Sequence, residues 1–312
     1  MKVLLANPRG FCAGVNMAID CVNRVLQLMG PPVYVFHEIV HNRHVVEDFR
    51  MRGVVFVNDL TRVPEGAVVV YSAHGVSPKM RELSRQRRLV EVDATCPLVT
   101  KVHMEVIRFA RDGYTIIFIG HRNHDEAVGT VGEAPQSILV VESPAEVANL
   151  VLKDESRIAY VTQTTLSISD AARTIEALKK RWPHIVAPPK EDICYATTNR
   201  QGAVSTLSPE VDLVLVVGSR NSSNSRRLVE TAQAAGKQAH LIDDASELDP
   251  TWFEGCGTVL VTAGASAPEH LVQELIDRLV NQFAAEVQVR TLVEEGVLFV
   301  PPRSLKNLPV VA

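Results

Sequence analysis

Val92-Asp93-Ala94-Thr95-Cys96-Pro97 reads as a short strand that ends on a turn, presents one cysteine and enters a helix. Proline after the cysteine suits a first helical turn, where its missing N–H would be unpaired anyway. A thiol there sees the positive end of the helix dipole, which favours an anionic sulfur. Two other stretches repeat the design. Val3-Leu4-Leu5-Ala6 runs into Asn7-Pro8-Arg9-Gly10-Phe11-Cys12-Ala13-Gly14, and Asp192-Ile193-Cys194-Tyr195-Ala196-Thr197-Thr198 opens another helix.

Around these junctions, apolar strand runs alternate with helical runs, which predicts an α/β fold with mainly parallel strands. In the first third, strands are expected at 33–36, 54–57 and 67–71, with loops at His37-Glu38-Ile39-Val40-His41-Asn42 and Ser72-Ala73-His74-Gly75. In the second, strands at 115–119, 138–141 and 158–161 lead to Gly120-His121-Arg122-Asn123-His124-Asp125-Glu126 and Thr162-Gln163-Thr164-Thr165. In the third, strands at 213–217, 239–242 and 258–261 lead to Ser219-Arg220-Asn221-Ser222-Ser223-Asn224 and Thr262-Ala263-Gly264-Ala265-Ser266.

The pattern is a threefold repeat of roughly ninety to a hundred residues, longer than solenoid periods. It predicts three similar α/β domains, at 14–96, at 97–193, and at 1–13 with 194–282. A hairpin and tail are expected over 283–312, from the runs 287–293 and 297–300 around Glu294-Glu295-Gly296. Ligand groups in open parallel sheets gather outside the carboxyl ends of the strands. Three such sheets about a pseudo-threefold axis would aim three thiols and six polar loops at one centre.

The chain has 312 residues, a formal net charge of −4 and five cysteines. That balance argues against a nucleic-acid surface or a polybasic membrane patch. No run approaches ~18–20 apolar residues, so no membrane span is expected. The N-terminus enters a strand without a signal or transit pattern, which points to the cytoplasm. Cysteines in that reducing setting are more often free, metal-bound or catalytic than disulfide-linked.

Cys12, Cys96 and Cys194 occupy matching places, whereas Cys21 and Cys256 do not repeat and read as structural. Paired zinc knuckles and four-cysteine ferredoxin runs are both absent. Three thiolates without a fourth suggest a [4Fe–4S] cluster, one per chain, with one iron open. Such a cluster can pass single electrons and act as a Lewis acid, which suggests reductive removal of a hydroxyl.

His41 and His74 follow strands, as do Ser222, Ser223, Asn224 and Ser266. Imidazoles, hydroxyls, an amide and loop N–H groups near helix starts can hold an anion, and a diphosphate fits. Neither glycine-rich nucleotide fingerprint is present. Glu126, two residues after His124, could deliver a proton if buried, because burial raises a carboxyl pKa. Thr164 and Thr165 could serve a proton relay or simply cap the next helix. Arg9, Lys101, Arg200 and Arg220 could neutralise charge nearby, and the sequence does not choose among them.

Taken in order, the motifs around Cys12, His74, Cys96, Thr164, Cys194 and Ser266 closely resemble the 4-hydroxy-3-methylbut-2-enyl diphosphate reductase family. The resemblance runs to about residue 280. It implies a trefoil of three α/β domains around the cluster, with Cys12, Cys96 and Cys194 as its three ligands. It also implies that His41, His74, Ser222, Ser223, Asn224 and Ser266 bind the diphosphate, with His124 near that pocket. Glu126 is then the proton donor and Thr164 its partner, and reduced ferredoxin or flavodoxin supplies electrons. The family pattern has proline between His124 and Glu126 and a second glutamate soon after, where this chain has Asp125 and Val128. The competing expectation is a non-catalytic iron–sulfur sensor or electron carrier, which has no need of a diphosphate pocket.

Overall fold

The protein is described by a computed structural model over residues 1–308, and residues 309–312 of the expected tail lie outside the described residues. In chain order the strands are β1 (Lys2–Asn7), β2 (Val33–Phe36), β3 (Val54–Val57), β4 (Val68–Tyr71), β5 (Val90–Asp93) and β6 (Thr115–Ile119). They continue with β7 (Ile138–Val141), β8 (Ile158–Thr162), β9 (Leu213–Val217), β10 (Gln238–Ile242), β11 (Thr258–Ala263) and β12 (Glu286–Thr291).

Three sheets form, ordered β3-β2-β4-β5, β7-β6-β8 and β10-β9-β11-β1-β12. Every described pairing between these strands is parallel. The repeat is visible in the strand order. In each sheet the first strand of the repeat lies between its second and its third. On the far side of the third strand, β5 leads to Cys96 and β1 leads to Cys12. In the middle sheet this fourth strand shrinks to one parallel bridge between Ala159 and Val186.

Both faces of the central strands are covered, as parallel sheets require. Ile117 and Ile119 enter one apolar cluster with Leu178 and Trp182. Their neighbours Ile116 and Phe118 enter another with Val102 and Phe109. The third sheet repeats this alternation, with Val3 and Leu215 on one face and Leu4 and Val214 on the other.

The chain divides into two compact units. One holds Met1–Ala13, His41–Glu47 and Tyr195–Leu298, and the other holds Gly14–Val40, Asp48–Cys194 and the chain from Phe299. The first contains the five-stranded sheet, and the second contains the other two.

The C-terminal hairpin expected over 283–312 is corrected. β12 lies parallel to β1, from Lys2↔Glu286 to Asn7↔Thr291, as an exposed edge strand. Residues 297–300 form no strand. At Glu294-Glu295-Gly296 the Glu295 carboxylate instead accepts from Arg200 and Asn199 of the helix Tyr195–Leu207.

Candidate active site

Each of the three cysteines immediately precedes a helix. Cys12 stands before Ala13–Met29, Cys96 before Pro97–Arg111 and Cys194 before Tyr195–Leu207. Each is fixed by the same backbone bond. Cys96 N–H donates to Ala73 O at 3.0 Å, Cys194 N–H to Thr164 O at 3.0 Å and Cys12 N–H to Ala265 O at 3.2 Å. The acceptors lie two residues beyond the ends of β4, β8 and β11. The residues two places earlier are pinned similarly. Ala94 N–H donates to Tyr71 O, Gly10 N–H donates to Ala263 O, and the Asp192 carboxylate accepts from Thr162 N–H at 2.8 Å. The cysteine N–H bond is therefore built three times, and the bond two residues earlier twice, with the Asp192 side chain standing in for the third.

The three thiols are partly exposed and none is in a disulfide. Cys21 and Cys256 differ. Burial pushes the Cys21 thiol up to about 12, and Cys256 Sγ sits 3.6 Å from Thr258 O. The residues that follow Cys12 and Cys194 are joined, since Ala13 N–H donates to the Tyr195 hydroxyl at 3.1 Å. Partly exposed thiols at equivalent helix starts are the donor type that an iron–sulfur group takes.

The loop acid of the second unit is buried. Glu126 is 1% exposed in the first turn of the helix Asp125–Glu133. Its Oε1 accepts from Thr164 N–H at 2.6 Å, and its Oε2 accepts from the Thr164 hydroxyl at 2.9 Å. Burial raises its pKa to about 7, the two Thr164 bonds pull it down, and the charge of Asp192 pushes it up. Thr164 is not the helix cap. Ser167 caps the helix Ile168–Arg181, its Oγ accepting from Asp170 N–H. Thr164 instead holds Glu126 with its donors and Cys194 with its carbonyl.

His124 Nδ1 accepts from Glu126 N–H at 3.2 Å, so the neutral ring carries its proton on Nε2. His74 meets His124 edge-on at 5.6 Å between ring centroids. Asp125, more exposed than Glu126, faces His37 at 3.7 Å and His74 at 4.0 Å. Gly75 follows at φ +83°, where a Cβ would lie 3.1 Å from the His103 ring. That conformation and close approach favour glycine.

The serines and the asparagine lie in the first unit, all buried. Ser222 caps the helix Ser223–Ala234, its Oγ accepting from Ser225 N–H at 3.3 Å. Asn224 Oδ1 accepts from Ala265 N–H at 2.8 Å, and Ser266 Oγ donates to His41 O at 2.8 Å. These bonds gather His41, Asn224 and Ser266 around the loop that also fixes Cys12. Asn42 was missed in the sequence. Its Oδ1 caps the next helix through Val45 N–H, and its buried Nδ2 has no partner among the described residues. Its place beside His41 was the available signal.

The four candidate cations are all engaged in ion pairs, Arg9 with Glu269, Lys101 with Asp192, Arg200 with Glu295 and Arg220 with Glu247.

Residues 3–280 match the model of the LytB protein family. The 4-hydroxy-3-methylbut-2-enyl diphosphate reductase of Rhodopirellula baltica is 54% identical over 98% of this chain and 96% of its own. The protein of that name from Alcanivorax borkumensis is also 54% identical, over 98% of this chain and 100% of its own. Among solved structures, the E-1-hydroxy-2-methyl-but-2-enyl-4-diphosphate reductase of Plasmodium falciparum superposes with a TM-score of 0.96. It has 40% identity, over 98% of this chain and 97% of its own.

Proposed function

The chain belongs to the LytB protein family, and from that premise we propose that it converts 4-hydroxy-3-methylbut-2-enyl diphosphate to isopentenyl and dimethylallyl diphosphate. The reaction consumes two electrons and two protons and releases water. A small reduced carrier, ferredoxin or flavodoxin, supplies the electrons. The observation that carries the reading is the thrice-built cysteine junction, with its equivalent N–H bonds from Cys12, Cys96 and Cys194.

Those three thiolates are assigned to one [4Fe–4S] cluster. When bound, that group supplies single electrons and an open iron of Lewis-acid character. The remaining work belongs to the chain. His41, His74, Ser222, Ser223, Asn224 and Ser266 hold the diphosphate, and His124 borders that pocket. Hydroxyls, imidazoles and loop amides suit phosphate oxygens without a lysine.

Glu126 holds the proton destined for the departing hydroxyl. A carboxyl with a pKa of about 7 is populated in both forms at neutral pH, so it can donate and be recharged. Thr164 holds it in place, since both of its donors end on that carboxylate. When the carboxyl is protonated, the Thr164 hydroxyl can rotate to accept.

The test is turnover of the diphosphate under anaerobic conditions with a reduced donor. Product formation that needs the donor supports the reading. A protein that binds iron and sulfide but gives no product with any donor is a carrier or sensor instead. Product without a donor marks a non-redox reaction.

A further inference from the structure

Arg200 is a fully buried cation. Its Nε and Nη2 both donate to Gly10 O, at 3.2 Å and 2.8 Å. Its Nη1 donates to Ala196 O at 3.1 Å and to both Glu295 oxygens, at 3.0 Å and 3.2 Å. Asn199 Nδ2 adds a bond to Glu295 Oε1 at 3.0 Å. Glu295 lies beyond the last strand, in a segment that also touches the N-terminal loop through Leu292 N–H to Asn7 O. Gly10, two residues before Cys12, has φ +64°, and a Cβ there would lie 3.2 Å from Ala267 O.

A buried guanidinium is stable only when paired and fully hydrogen-bonded. Glu295 neutralises Arg200, and Arg200 grips the carbonyl that sets the path of the chain into Cys12. We propose that Arg200 and Glu295 are positioning residues that form a strap from the C-terminal segment to the Cys12 loop. The strap fixes that thiol for its role as a ligand. The inference rests on the reading of Cys12 as a ligand and adds a task for the tail, which is otherwise packing.

The test uses the anaerobic holoenzyme, challenged with a ferrous-iron chelator and N-ethylmaleimide together. Peptide mapping follows the labelling of Cys12, Cys96 and Cys194 over time. In Glu295→Ala, Cys12 labelling accelerates about tenfold relative to Cys194, the scale of a lost charge-assisted bond. Glu295→Gln keeps an acceptor for Arg200 and gives a smaller acceleration; it serves alone if the alanine variant does not fold. A Cys12:Cys194 ratio within about twofold of wild type overturns the strap. So does equal acceleration of all three thiols, which marks a general loss of stability. Wild-type protein that takes up no iron and sulfide sinks the cluster reading separately from the strap.

Discussion

The Tyr195 hydroxyl accepts the backbone N–H of Ala13 at 3.1 Å, so the residue after Cys194 and the residue after Cys12 share one bond. Burial pushes the Tyr195 hydroxyl up to about 12, and it keeps its own proton at neutral pH while it accepts. Two helices whose first residues follow proposed cluster ligands are thereby tied start to start.

Tyr195→Phe leaves the Ala13 N–H without that acceptor. The expected loss of stability is about 1–3 kcal/mol, the range for an orphaned, partly buried backbone donor. Urea unfolding with an unchanged slope reads it. An unchanged midpoint contradicts the importance of this tie.

Glu126→Gln keeps the volume and the Thr164 contacts but has no proton to give. Turnover should fall by about 10²–10⁴-fold, the usual contribution of a positioned acid. Substrate affinity and iron content should stay near wild type. Near-normal turnover removes Glu126 from proton delivery.

Thr164→Val removes the hydroxyl bond and keeps the N–H bond. That hydroxyl favours the carboxylate, so its loss moves the Glu126 pKa further above the ordinary range. The alkaline limb of the pH–turnover profile therefore shifts to higher pH. A shift to lower pH, or none, is the adverse result.

The same acid predicts a stability slope. Glu126 is raised from 4.5 to about 7 by burial, so between those values the folded chain holds a proton that the unfolded chain has lost. Stability should fall as pH rises through that window and level off above it. Glu105, also raised to about 7 by burial and by neighbouring Asp192, adds to the slope. Urea midpoints at about pH 5 and about pH 7.5 should therefore differ less in Glu126→Gln than in wild type. An equal difference in both proteins contradicts burial as the cause.

Much of the architecture was legible because β-branched runs and strand-to-helix junctions recur three times. Cys12, Cys96 and Cys194 could be matched from their neighbours alone. The fourth strand of the middle sheet could not, because prolines Pro183, Pro188 and Pro189 flank a segment that makes one bridge at Val186. The tail misled for another reason. Val287 and Val289 alternate like one arm of a hairpin, but alternation does not reveal a parallel partner at the opposite end of the chain. Arg200 shows a third limit. An arginine normally reads as surface, and only tertiary structure reveals it buried between Gly10 O and Glu295. Glu126 was legible as a candidate acid, but its burial and the two hydrogen bonds it accepts from Thr164 required the fold.

Three sulfurs at equivalent strand-to-helix junctions, those of Cys12, Cys96 and Cys194, are proposed to hold a single cluster. The decisive measurement is anaerobic Mössbauer spectroscopy of iron-57 protein with and without the substrate diphosphate. A [4Fe–4S] signal is expected, with one distinct iron that responds to the diphosphate, and it should be lost in Cys12→Ser, Cys96→Ser and Cys194→Ser alike. An intact, substrate-responsive signal in any one of those variants would contradict it.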